Sequence, residues 1–221
     1  MPNEHEQNNG GGLLDRVSLR AVGLDDWSDV RYVHVRALER LAGLHLDAEE
    51  TAAIKDYVAT PEYTDEIQRE SLHAAWLDGH LIGTAGWGPA DDTGISARVT
   101  SAFVDPMFAR LGVGRLLVVN AEERARAAGF RIFTTRTTSN AVGFFEALGY
   151  EISSYGVCSI AADRGIPVTF LKKRDAIHAT IPTPTPAKAD PVTVPLAGGG
   201  ALPEGTESAP GDRALVAPRD R

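Results

Sequence analysis

The chain has a single cysteine, Cys158, among its 221 residues. No disulfide can close within it, and the expected setting is the reducing cytoplasm. Long apolar runs are missing too. None approaches the ~20 residues a helix needs to cross a bilayer, so no membrane partner is expected. The opening MPNEHEQNNGGG is acidic and polar where a secretory leader would be basic and then apolar. Basic blocks are also absent. The net charge is −8 and the pI about 5.2, which argues against a dedicated nucleic-acid surface. No His, Cys, Asp or Glu residues stand at metal-ligand spacing, and no metal is expected. No internal repeat is evident.

What is present reads as one α/β domain over residues 15–174, between an extension at 1–14 and a tail at 175–221. The extension is polar and glycine-rich, and the tail holds eight of the thirteen prolines; both read as disordered. Val17–Val22 alternates as a first strand. Trp27, Val30, Val33, His34, Leu38 and Leu41 recur at helical spacing, with Gly43 as a stop. Asp47-x-x-Glu50 has capping-box spacing and starts a second helix, with Ala53, Ile54, Tyr57 and Val58 inward and Pro61 after its end. Glu62–Glu70 reads as a polar connection. Strands at 71–77 and 80–87 flank Asp78-Gly79, a primed hairpin turn. A helix over 113–128 follows, with Glu122 and Arg126 paired on its exposed side. Strand 131–137, a short helix ending near Leu148-Gly149, and a hairpin of 150–160 with 167–172 complete the domain.

The organising stretch is Val99–Arg115, VTSAFVDPMFARLGVGR. A buried strand stops at Asp105-Pro106, and Gly112-Val113-Gly114 then opens a helix. Glycines admit a ligand close to the backbone, the first helical N–H groups lack partners, and Arg110 and Arg115 flank the turn. Such a turn suits a phosphate or pyrophosphate, although a tight turn that binds nothing fits the fragment equally. A P-loop is excluded because Arg115-Leu116 follows Gly114, and a dinucleotide fingerprint is excluded by Leu117.

This stretch resembles the acyl-CoA-binding motif of the GNAT superfamily N-acetyltransferases, [QR]-x-x-G-x-[GA] after a strand ending in V-x-P. NAVGFFEALGY at 140–150 is similar to the family's N-A-V-x-F-Y-E-x-L-G-F, and GIPVTFLK at 165–172 resembles its closing strand. The three blocks stand in the family's order. The resemblance implies the acyl-CoA N-acyltransferase fold: a mixed, mostly antiparallel central sheet with flanking helices. It also implies acetyl transfer from acetyl-CoA to a primary amine, by direct attack in a ternary complex. Backbone groups of Ala102, Phe103 and Val104 would pair with the pantetheine arm. N–H groups of Arg110, Leu111, Gly112, Val113, Gly114 and Arg115 would hold the pyrophosphate, and Asn140 and Phe145 would border the cofactor.

Two residues depart from the pattern. Ala109 replaces its Gln or Arg, and Phe145 replaces the tyrosine that protonates the departing thiolate. These favour the alternative of a non-catalytic acyl-CoA-binding module. A general base is sought among Asp105, Glu146, His73 and His34, each with a structural alternative. Trp87 lines an acceptor pocket or packs in the core. Arg98 pairs with an acidic acceptor or faces a solvated stretch of sheet. The expected partner is a small-molecule or peptide amine, and a homodimer is an open alternative.

Overall fold

The computed structural model describes residues 12–45, 47–161, 164–175 and 192–195. Residues 1–11 of the extension and most of the tail lie outside the described residues. Leu13–Arg16 forms a 3-10 turn, and Leu13 packs against the core, so the fold begins inside the stretch read as extension. Strand β1 is Ser18–Ala21. Helix α1 (Trp27–His45) runs through Gly43 instead of stopping there. One internal glycine costs a helix only ~1 kcal/mol, and α1 is anchored upstream by the buried Val30 and Val33.

Helix α2 (Ala48–Val58) has the expected capping box: Glu50 N donates to Asp47 Oδ1 at 2.7 Å, and Asp47 N donates to Glu50 Oε2 at 2.9 Å. The stretch read as a polar connection is instead helix α3 (Pro61–Gln68). Pro61 opens this helix, at a position where no N–H is needed, while Thr60 Oγ1 accepts from Tyr63 N at 3.2 Å. Its apolar pair, Tyr63 and Ile67, is buried.

Strands β2 (His73–Leu77) and β3 (His80–Pro89) are joined at Asp78 and Gly79 with φ of 51° and 82°, the primed turn expected. Then come β4 (Ser96–Val104), α4 (Val113–Ala127), β5 (Ile132–Thr137), α5 (Val142–Glu146), β6 (Glu151–Ala161) and β7 (Arg164–Arg174). A last strand, β8 (Val192–Pro195), falls inside the stretch read as tail and pairs in parallel with Gly156–Ser159 of β6.

The eight strands form one sheet in the order β1-β2-β3-β4-β5-β7-β6-β8. It is antiparallel except at β4–β5 and β6–β8. Helix α4 covers one face through Val113, Leu117 and Ala121, which meet Val99, Phe133 and Leu171. Helices α1, α2 and α3 cover the other with Val30, Val33, Ile54, Val58 and Ile67. This is the mixed α/β sandwich with flanking helices that the sequence led us to expect.

One surface pair is corrected. Glu122 is buried, 3 % exposed, and its carboxylate accepts from Lys173 Nζ at 2.6 Å, while Arg126 pairs with Asp175 at 2.9 Å. Position on the helix wheel misses this, because β7 lies across the face that the wheel leaves open.

Candidate active site

Strands β4 and β5 pair over three residues only, Ser96–Arg98 against Ile132–Thr134. Beyond that the strands part, and a cleft of about 710 Å3 opens between them. The cause lies on the opposite edge of β4, where Ser101 and Ala102 together face Ala85 of β3. This extra residue is a bulge, and bulges bend and twist a strand. Ser101 takes φ 49°, a left-handed conformation uncommon for a residue with a side chain.

At one end of the cleft lies the turn into α4. Gly112 caps the helix with φ 90°, and no side chain satisfies the N–H groups of the first turn, which holds no acidic residue. The donors of that turn are therefore left for an anion, with the exposed Arg110 and Arg115 beside them. A Cβ on Gly112 would lie 2.9 Å from Leu14 Cδ1, too close for comfort. Gly112→Ala combines that contact with the left-handed backbone and should lower stability by about 1–2 kcal/mol, read from urea unfolding. An unchanged midpoint would show that the turn is not held in this conformation.

Beside the bulge lies a carboxylate absent from the sequence candidates. Glu70 sits between α3 and β2, half-buried on the cleft wall. Ser101 Oγ donates to Glu70 Oε2 at 2.7 Å. Gly86 leaves the room: a Cβ there would stand 3.2 Å from that same oxygen. Withdrawal from water raises the Glu70 pKa, against the opposing pull of hydrogen bonds from Ser101 and Thr100 and of the Arg136 charge. Glu66 adds a further, smaller push upward.

Behind the bulge runs a buried chain of hydrogen bonds. The Ser101 carbonyl can only accept, so the Thr84 hydroxyl donates to it at 2.7 Å. Thr84 Oγ1 then accepts from His34 Nε2–H at 2.8 Å, and His34 Nδ1 accepts from the Tyr63 hydroxyl at 2.5 Å. The direction of donation fixes a neutral imidazole with its proton on Nε2. Burial agrees, pulling the His34 pKa down to about 3. His34 is fully buried and both ring nitrogens are engaged, so it braces the bulge and is not placed to collect a proton from the cleft.

The other candidates divide by face. Ala102, Phe103 and Val104 line the cleft, as do Arg110, Gly112, Gly114 and Arg115. Asn140 and Phe145 do too. Leu111 is exposed and Val113 is buried in the α4 core, so neither side chain reaches the cleft. Asp105 is buried away from it, accepting from Met107 N at 2.9 Å and pairing with Arg36 at 3.3 Å. Glu146 is exposed at the end of α5 and lies outside the lining. His73 Nδ1 accepts from Arg124 at 2.5 Å, also outside it. Trp87 is on the α4 face, packed edge-on against Phe130 at 5.5 Å. Phe145 packs against Phe144 and Tyr150 with ring centroids 5.0 and 5.3 Å apart. Tyr150, the last residue of the second family-like block, is buried in the α4 core.

Among the described residues, no three His, Cys, Asp or Glu side chains gather as a metal ion would require. None of the described helices is long and apolar enough to cross a membrane.

Comparison with known proteins adds the following. Residues 35–150, more than half the chain, match the model of the acetyltransferase (GNAT) family. No curated protein shows significant similarity. Among solved structures, a GCN5-related N-acetyltransferase from Rhodopseudomonas palustris superposes with a TM-score of 0.60 at 22% identity, over 71% of this chain and 94% of that one. PaiA N-acetyltransferase from Thermoplasma acidophilum, solved with coenzyme A, gives 0.57 at 15% identity over 72% and 98%. YncA from Salmonella typhimurium, solved with acetyl-CoA, gives 0.52 at 16% identity over 79% and 99%.

Proposed function

This chain belongs to the acetyltransferase (GNAT) family, and from that premise we propose that it moves an acetyl group from acetyl-CoA to a primary amine by direct attack in a ternary complex. The observation carrying this reading is the single cleft that joins the open α4 turn, the parted edges of β4 and β5, and the carboxylate of Glu70. Acetyl-CoA, when bound, supplies the acyl thioester.

The residues present fit that group. The first-turn donors after Gly112, with Arg110 and Arg115, suit a diphosphate. The unpaired edge of β4 from Thr100 to Val104 offers backbone groups to the pantetheine amides. Phe145 presents an apolar ring to the arm.

Glu70 is the proposed base. An amine resembling lysine is protonated at neutral pH and must lose a proton before it can attack. Glu70 takes that proton, and its raised pKa moves its proton affinity toward that of the amine. The nitrogen then bonds to the acyl carbon as the carbon–sulfur bond breaks. The second proton on nitrogen ends on the sulfur. No tyrosine stands at position 145 to deliver it, and the thiol pKa near ~8.5 makes the thiolate a tolerable leaving group. Phe145→Tyr is therefore expected to change kcat and leave acetyl-CoA affinity nearly unchanged. A large loss of affinity at unchanged kcat would contradict this.

The second reading, a non-catalytic acyl-CoA-binding module, is favoured by Phe145 and Ala109. One assay separates the two: release of CoA thiol from acetyl-CoA over a panel of amines. Release that depends on the amine supports the enzyme. Tight CoA binding with no release supports the module.

A further inference from the structure

On β4, before Ser101, the cleft wall carries Arg98 and Thr100, two residues apart. In a strand such residues share a face, ~7 Å apart. Gly86 pairs with Thr100 and Gly88 with Arg98, so no side chains from β3 cover them. An added Cβ on Gly88 would meet nothing within 4 Å. Arg98 is half-buried and has no hydrogen bond or ion pair among the described residues; Asp91 and Glu70 act on it only through space. The Thr100 hydroxyl is buried and turned to the Glu70 carboxylate, so it is not open to a ligand. Arg136 of β5 lines the same cleft, and the two guanidinium groups repel each other. An anion beside Arg98 would give its guanidinium the partner it lacks.

The cleft thus offers groups for both ends of a zwitterion, a carboxylate for an ammonium and a guanidinium for an anion. Its inner wall is apolar, formed by Tyr63, Ile67, Ile166 and Val168. We propose that the acceptor is an amino acid with an apolar side chain, its carboxylate held by Arg98 while its ammonium faces Glu70. The proposal rests on the acetyltransferase reading and narrows it. Arg98 acts here as a specificity residue: it selects and orients the acceptor and takes no part in bond making.

The test is calorimetry on the full chain with CoA present. Three amino acids are titrated, L-phenylalanine, L-leucine and L-methionine, each against the amine that lacks its carboxylate: 2-phenylethylamine, 3-methylbutylamine and 3-(methylthio)propylamine. A hydrogen bond to a charged group is worth enough to give the amino acids an advantage of about 10- to 100-fold. Arg98→Ala should remove that advantage and leave CoA affinity unchanged, and Arg98→Lys should restore part of it. Equal binding within the pairs, an advantage that survives Arg98→Ala, or no binding of either series overturns the assignment. CoA release from acetyl-CoA is followed in parallel. Release with the amines as readily as with the amino acids sinks the assignment alone. Selective amino-acid binding without release upholds the anion site and sinks the acetyltransferase reading instead.

Discussion

Glu70→Gln lowers kcat by about 10²- to 10⁴-fold at neutral pH, the range for loss of a positioned general base, while acetyl-CoA affinity stays as in the wild type. The amide keeps the shape of the carboxylate and can still accept from Ser101 Oγ, so the cleft wall is preserved. Only the ability to take a proton goes. The pH dependence supplies a second readout. Glu70 must be ionised to act, so kcat/KM falls as pH drops through its pKa. Burial raises that pKa, so the acid limb lies above the ordinary glutamate range, and it vanishes in the variant. The Ser101 and Thr100 hydroxyls and Arg136 oppose the rise, and Glu66 assists it. Wild-type turnover in Glu70→Gln, or an acid limb unchanged by it, would move the base elsewhere.

The second large effect is on stability and centres on His34. Folding holds the imidazole neutral, with a pKa of about 3 against 6.5 for the free side chain. Below pH 6.5 the unfolded chain takes a proton that the folded chain refuses. Stability is therefore complete above that pH and is lost as pH falls toward 3, at up to ~1.4 kcal/mol per pH unit. Between pH 7.5 and 5 the loss attributable to His34 is about 2 kcal/mol. His34→Gln should be less stable at pH 7.5, by about 1–3 kcal/mol, because the Tyr63–Thr84 chain is broken or distorted. Its urea midpoint should fall less than the wild type's between the two pH values. His73, also held below its usual pKa, and Glu70, held above, contribute to both proteins and cancel in the comparison. Parallel losses in the two proteins would show that His34 does not carry the acid sensitivity.

Why Glu70 was not found in the sequence is instructive. It closes a run containing Glu62, Asp65 and Glu66, and nothing in the spacing sets it apart from those three. Its distinction is created by Gly86 and Ser101, sixteen and thirty-one positions away, which come beside it only when β3 and β4 are paired. Trp87 and Arg98 show the same limit. Trp87 stands between two glycines and Arg98 between two small apolar residues, and only the sheet register decides which faces α4 and which faces the cleft. His34, a candidate base by residue type, acquires two partners 29 and 50 residues distant and becomes a brace.

Local physics was legible from the residues alone. The Asp78-Gly79 turn, the Asp47 capping box, the α4 turn at Gly112 and the strand that precedes it are all set by interactions spanning a few neighbours. So was the fold class, since apolar periodicity reports which face of each element must leave water, although α3 and β8 were not read from it. The bulge at Ser101, the parting of β4 from β5, the placement of Glu70 and the chain behind it were decided by tertiary structure. Each depends on which groups are brought together across the sheet, and a lone chain carries no record of the water that such contacts exclude.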